Sequence, residues 1–294
     1  MPKYIDIHSH INFNAFEGDR DEVIKRALDN DTWLINIGTQ VDTSKKAIEL
    51  AHKYESGVYA IVGLHPIHTG KSFHDKEELG PSFAKASDGQ ETKDGFISRG
   101  EIFDKDIYRE MLKDPKVVGI GECGLDYYHM DAESIERQKK MFIEQIELAN
   151  EAGKPLMLHI RNNPADDTRN AYKDTAEILK KYPKVKGVSH FFAGSVEDMK
   201  RFVNLGIYVS FSGPITYKPN LKICDYHAVI KETPLDKILT DTDSPYVAPV
   251  PYRGTRNEPY YVREIVKKIA EIKGLSEEET AEAIVKNARS LFDI

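Results

Sequence analysis

Tyr4-Ile-Asp6-Ile-His8-Ser-His10 is the stretch whose reading decides the fold. Tyr4, Ile5 and Ile7 suit a buried strand. Residues two apart in a strand point the same way, which puts Asp6, His8 and His10 on one face. Two imidazoles at that spacing can grip one metal ion from the end of a strand, with Asp6 orienting a ring from behind. The plainer reading is a strand whose histidines merely cap its polar end. Ligand-type residues at the ends of later strands decide between the two.

Further strands are expected at 33–38, 58–63, 117–121, 155–159, 187–190, 207–211 and 237–240, where short apolar runs are bounded by turn residues. Helical periodicity falls between them, at 19–30, 43–54, 104–113, 134–152, 172–182, 196–205 and, more weakly, 220–230. Two more helices, 260–272 and 277–291, close the chain, the last with a Ser276 cap. Eight strands, each followed by a helix or loop, imply an α/β fold. The expected form is a (β/α)8 TIM-type barrel of parallel strands in a single domain, 1–294, with its site at the C-terminal ends of the strands. An open doubly wound sheet is the alternative, but no Gly-x-Gly-x-x-Gly follows any strand. Residues 74–99 lack apolar periodicity and are rich in Ser, Asp, Gly, Lys and Thr, which reads as a surface insertion.

The chain has 294 residues, with 41 Lys and Arg against 48 Asp and Glu, a net charge of −7. That excludes a bulk basic field of the kind that advertises nucleic-acid binding, and leaves a local patch or bound cations to attract an anion. Two cysteines, Cys123 and Cys224, make no disulfide framework and fit a reducing compartment. With no apolar run long enough to span a bilayer and no signal-peptide pattern, the expectation is a soluble, cytoplasmic protein with no membrane partner.

The strand ends then collect one chemistry. The first gives His8 and His10, the third His65, the fourth Glu122, the fifth His159 and Arg161, the sixth His190, and the eighth Asp241 and Asp243. Such groups converging on one barrel mouth are mutually costly unless cations or substrate compensate them. Four histidines and two carboxylates among them are the ligand set of a two-metal hydrolytic site. His52, His68, His74, His129 and His227 lie off the pattern and read as surface residues. Cys123 reads as packing, since no base is placed for it.

Six motifs carry a resemblance. Asp6-Ile-His8-Ser-His10, Gly63-Leu-His65-Pro66, Gly121-Glu122-Cys-Gly-Leu-Asp126, His159-Ile-Arg161, Ser189-His190-Phe-Phe-Ala-Gly194 and Thr240-Asp241-Thr-Asp243-Ser-Pro245 resemble those of TatD-type metal-dependent deoxyribonucleases, in the amidohydrolase superfamily. The segment 248–259 resembles that family's closing signature, so the likeness covers nearly the whole chain.

The resemblance implies that His8, His10 and Asp243 hold one ion, that Glu122 bridges, and that His159 and His190 hold the second. It makes Glu122 and Asp243 the catalytic carboxylates, with Asp243 near the attacking water as its general base. Asp241 stands where the family more often has Glu, which suggests a supporting role beside Asp6 and Asp126. Arg161 presents a planar donor fork suited to phosphate. His65 reads either as a donor to the same phosphate or as a structural histidine before Pro66. Tyr127, Tyr128, Phe191, Phe192 and Tyr246 either line a groove where bases stack or simply pack.

The function so implied is hydrolysis of phosphodiester bonds in DNA, from an end and on single-stranded or frayed substrate. The expected cofactors are two divalent cations, Mg²⁺ or Mn²⁺, with Zn²⁺ as the alternative for a histidine-rich site. DNA is the expected partner, with no obligate protein partner and a monomeric chain. Two other readings stand beside it: an ester or amide hydrolase on the same scaffold, such as an aminoacyl-tRNA deacylase, and a catalytically idle binding barrel.

Overall fold

The computed structural model describes residues 1–70, 100–128, 131–166 and 168–294 and, between 70 and 100, three short backbone segments. In chain order the strands are β1 (Tyr4–Ser9), β2 (Thr32–Ile37), β3 (Val58–Val62), β4 (Ser72–Asp75), β5 (Gln90–Glu91), β6 (Gly95–Ser98), β7 (Val117–Asp126), β8 (Leu156–Arg161), β9 (Gly187–Ser189), β10 (Tyr208–Phe211) and β11 (Ile238–Thr240). Strands β4, β6 and β5 form a small antiparallel sheet. The surface-insertion reading of 74–99 otherwise lies outside the described residues. The remaining eight strands are parallel and neighbour one another in sequence order, which is the (β/α)8 barrel. Its two edge strands meet at the top, where Asp243 N donates to His8 O at 2.9 Å and His10 N to Ser244 O at 2.8 Å.

The helices are α1 (Arg20–Leu28), α2 (Val41–His52), α3 (Lys105–Met111), α4 (Ala132–Ala152), α5 (Ala171–Leu179), α6 (Val196–Asn204), α7 (Tyr226–Glu232), α8 (Val262–Lys273) and α9 (Glu277–Phe292). Local chemistry sets their ends. Asp131 caps α4 by accepting from Ser134 N, and Gly153 ends it at φ 64°, a left-handed conformation glycine adopts without strain. The weak helix expected over 220–230 is shorter than its pattern: Asn220 to Cys224 form a tight turn, and α7 begins only after Asp225, which accepts from Ala228 N. None of the helices among the described residues is long and apolar enough to cross a membrane.

Two apolar layers result. Ile5, Ile7, Ile35, Ile37, Ile61, Met157, Val188 and Leu239 fill the barrel lumen, which the end of α9 closes with Leu291 and Phe292. The larger layer lies between strands and helices, with Phe16, Phe142, Phe202 and Phe211 fully buried. A polar cluster at the top of such a barrel is therefore floored by hydrocarbon, where charge is expensive and geometry is rigid.

Candidate metal centre

Glu122 sits at the centre, and its own strand explains how. The sequence pattern ends this strand at 121, yet β7 runs on to Asp126. The β7–β8 register shifts between Ile120 and Cys123, so the strand bulges at Glu122. Gly121 (φ 152°) and Gly124 (φ 142°) permit this, and a Cβ at Gly124 would stand 2.2 Å from His159 O. The bulge aims Glu122 into the mouth and leaves Cys123 buried on Met157 O, its thiol pushed far up by burial. Cys123 is packing, as expected.

One oxygen of Glu122 faces the first strand. Its Oε2 lies 3.3 Å from His8 Nε2 and 3.6 Å from His10 Nε2. Asp243 Oδ1 stands 3.7 and 3.6 Å from the same two nitrogens, which are 3.1 Å from each other. His10 Nδ1 donates to Ile37 O at 3.1 Å, so in the neutral ring Nε2 turns its lone pair to the cluster, while in the absence of a cation Asp243 and Glu122 outweigh burial and raise the ring's pKa. These separations of 3.1–3.7 Å are close to the edges of a polyhedron around an ion with bonds of about 2.0–2.2 Å. The donor set fits a divalent cation. Among the described residues, every ion-pair partner of Glu122 and Asp243 is a histidine, so no lysine or arginine takes the cation's place.

The other oxygen faces the far side of the barrel. Oε1 lies 2.7 Å from His159 Nδ1, 2.8 Å from His190 Nε2 and 3.4 Å from His65 Nε2. The two oxygens of one carboxylate thus face different histidines, as those of a bridging ligand would, although the sets overlap, since His8 also falls with His190 and His159 falls with His65. The geometry groups His8, His10 and Asp243, then His8, Glu122 and His190, then His65, Glu122 and His159 as sets within reach of an ion. The far nitrogen of His159 is held by Asp126 Oδ2 at 2.8 Å.

Charge follows from these contacts. Burial works against ionised Glu122, but His190, His65 and His8 together hold its carboxyl well below the usual carboxylate range. Burial likewise opposes a charge on His159, yet Asp126 and Glu122 outweigh it and raise the ring to about 10. Asp126 falls to about 2 despite its burial, held down by His159. His8, desolvated and stacked 3.8 Å from His190, drops to about 3 and stays a neutral lone-pair donor.

Not every expected role survives the register. His8 and His10 share a face, but Asp6 does not join them. The β1–β2 pairing shifts between Asp6 and Ser9, which breaks the period-two alternation. Among the described residues Asp6 hydrogen-bonds to backbone and hydroxyl groups and to no imidazole nitrogen. Its Oδ1 accepts from His8 N (3.2 Å) and Thr242 N (2.9 Å), and Oδ2 accepts from Thr242 Oγ1 (2.6 Å), which ties down the loop carrying Asp243. Asp241 is also removed from the ligand atoms: it accepts from Phe191 N at 3.1 Å and from the Ser210 and Ser212 hydroxyls, joining three strand ends.

Arg161 is exposed at the rim, its guanidinium stacked 3.8 Å over the Tyr128 ring. Tyr127 and Phe192 are packing instead of groove: Tyr127 OH donates to Asp174, and Phe192 lies between Tyr172 and Phe202. Phe191 and Tyr246 are half-buried. His52 and His227 are exposed, but His68 is buried, because the turn Pro66–Thr69 folds back and brings its ring 5.5 Å from His65. His129 and the His74 side chain lie outside the described residues.

Two positioning residues escaped the sequence reading. Gln138 of α4 brackets Asp126, accepting from its N and donating to its O at 2.8 and 2.9 Å. Gln145, two turns on, brackets Leu64 in the same way at 3.0 and 2.9 Å. Their signal is two amides on the helix face that also carries Ile135, Phe142 and Ile146, where a polar group stays only with partners.

A parallel barrel whose strand ends gather histidines and carboxylates around a shared glutamate is the plan of a metal-dependent hydrolase. The chain belongs to the family described as TatD related DNase, whose model matches residues 5–293. It is 34% identical over 292 residues to an uncharacterized metal-dependent hydrolase, YabD, of Bacillus subtilis, covering 98% of each chain. YcfH of Escherichia coli K12, also named an uncharacterized metal-dependent hydrolase, is 29% identical over 296 residues, covering 99% of this chain and 96% of that one. Among solved structures, the TatD homolog YJJV of Escherichia coli superposes with a TM-score of 0.78 at 26% identity, covering 99% of this chain and 98% of that one.

Proposed function

We propose that the chain hydrolyses phosphodiester bonds in DNA using two divalent cations, Mg²⁺ or Mn²⁺ with Zn²⁺ as the alternative. His8, His10, Asp243 and one oxygen of Glu122 would hold the first, and His159, His190 and the other oxygen of Glu122 the second. The observation carrying this reading is that the two oxygens of Glu122 face different histidines. Bound there, the cations supply Lewis acidity and lower the pKa of a water.

The protein's own groups do the rest. Asp243, its side chain 19% exposed, is the carboxylate open enough to accept the attacking water's proton. Arg161, braced on Tyr128, offers two parallel N–H donors to a phosphate at the rim. Arg253, stacked over Tyr217, and exposed Lys218 and Lys222 add positive charge around the mouth. Arg256 does not, being paired with Asp19 at 2.8 Å. Glu122 is only 4% exposed, so a phosphate reaches it on a thin strand, which favours single-stranded DNA or frayed ends.

Purified protein with Mg²⁺ or Mn²⁺ tests this against single-stranded DNA, blunt duplex, RNA and charged tRNA, with Glu122→Ala as control. Release of nucleotides from single-stranded DNA, lost in the variant, is expected. No release from any DNA, equal release by the variant, or turnover of charged tRNA alone would overturn it.

A further inference from the structure

Of the six large apolar side chains exposed among the described residues, three belong to two loops laced together at the barrel mouth: Leu221 (72%), Ile223 (64%) and Val250 (46%). Leu221 and Ile223 flank the tip of a tight turn, 220–224, between β10 and α7. Asn220 closes it, its O accepting from Ile223 N at 2.9 Å and Cys224 N at 3.2 Å, and its Oδ1 from Lys222 N at 3.2 Å. The connection is pinned on both sides. Cys224 Sγ donates to Gly194 O at 3.3 Å, in the loop that begins with His190. Tyr217 OH donates to Ala248 O at 2.7 Å and Val250 N to Thr216 Oγ1 at 2.9 Å, both in the loop that carries Asp243. Charge identifies what covers this tip. Lys218, Lys222 and Arg253 are exposed beside it, Arg253 stacked 4.4 Å over Tyr217, and among the described residues none of the three pairs with a carboxylate. The acidic neighbour, Asp225, is engaged in capping α7 through Ala228 N. In a chain of net charge −7, cations interleaved with aliphatic side chains fit a polyanion that also has apolar faces, its phosphates for the cations and its bases for Leu221 and Ile223.

We propose that the 220–224 turn is a wedge that opens the terminal base pairs of duplex DNA and passes one strand to the metal centre. The site creates the need for one. Glu122 is only 4% exposed, so a phosphate of a paired strand cannot reach it until the duplex end opens. Leucine and isoleucine inserted between base steps unstack them, and the last pair of a duplex resists least because it stacks on one side only. The fixed turn keeps both side chains pointed outward, while the three cations hold the backbone as the tip enters. The inference rests on the DNA reading above and adds a division among substrates: a single strand needs no wedge, and a blunt duplex does.

The double variant Leu221→Ser, Ile223→Ser tests this, since both side chains are exposed and the variant should melt with the wild type. It should hydrolyse single-stranded DNA at the wild-type rate and blunt duplex at least about tenfold more slowly. A duplex whose last pairs are mismatched, and so already open, should restore its rate. A 2-aminopurine placed in the terminal pair should brighten when the wild type binds the duplex with Ca²⁺ in place of Mg²⁺, and stay dark with the variant. Equal loss on single strand and duplex, an unchanged duplex rate, or a wild type that cleaves single strands but neither cleaves nor brightens a blunt end would overturn the wedge. Binding to vesicles of anionic lipid that is lost in the variant while every DNA rate is kept would overturn it in favour of a membrane contact. Absence of single-strand hydrolysis by the wild type would count against the substrate reading instead.

Discussion

Glu122 Oε1 lies 2.7 Å from His159 Nδ1, and on the far side of that ring Asp126 Oδ2 lies 2.8 Å from Nε2. One imidazole is thereby clamped between the central carboxylate and a second one, Asp126, which Gln138 frames from the helix side through its backbone N and O. In the proposed site Asp126 would fix which nitrogen of His159 faces an ion and make that nitrogen more basic.

Asp126→Asn keeps the shape of this clamp and removes its charge. Cation affinity should fall about 10- to 100-fold, the usual effect of losing such a partner, and the metal-free protein should melt lower at pH 7, because protonated His159 loses the carboxylate paired with it. Mn²⁺ titration of the two proteins checks this, and equal affinities would show that Asp126 only packs.

Metal binding should also release a proton. With both ring nitrogens facing carboxylates, metal-free His159 is held as an imidazolium up to about pH 10. A cation can bind Nδ1 only after that proton leaves. Affinity at this position should therefore rise about tenfold per pH unit between pH 7 and 9, with about one proton released per chain. Calorimetry in buffers of different ionisation enthalpy reads the proton directly, and a pH-independent affinity would contradict the assignment.

Stability has its own titrating group away from the centre. Glu101 is half-buried, accepting from Val41 N at the start of α2 and from Tyr108 OH, and burial raises its carboxyl from 4.5 to about 7. Over that interval the native chain holds a proton that the unfolded chain has lost. Its contribution is thus full below pH 4.5 and declines as pH rises to about 7. Glu101→Gln should leave the melting temperature near that of the wild type at pH 4.5 and raise it at pH 8, as followed by circular dichroism. A variant less stable at pH 8 would mean the ionised carboxylate is the favoured cap.

Much of this is legible in the amino-acid sequence. Short β-branched runs such as Trp33–Ile37 and Val117–Ile120 alternate with amphipathic helices, and that rhythm alone implies the parallel barrel. Because a barrel brings every strand's C-terminal end to one mouth, the histidines and carboxylates there had to meet. What periodicity could not show were the breaks in periodicity. The β1 register shift that separates Asp6 from His8, and the β7 bulge that brings Glu122 inside its strand, are properties of paired strands and not of either one alone. His68 was misplaced for a related reason, since its burial depends on where the turn after His65 folds back. Gln138 and Gln145 went unnoticed because an amide on a helix face is informative only once its partners are known.

Metal analysis tests the proposed bridging by Glu122 most directly. Metal-free protein is incubated with Mn²⁺, separated from free ion and measured for ions per chain, alongside Glu122→Ala. The account predicts about two ions in the wild type and loss from both clusters in the variant. A wild type that retains one ion or none, or a Glu122→Ala protein that keeps both, would contradict it.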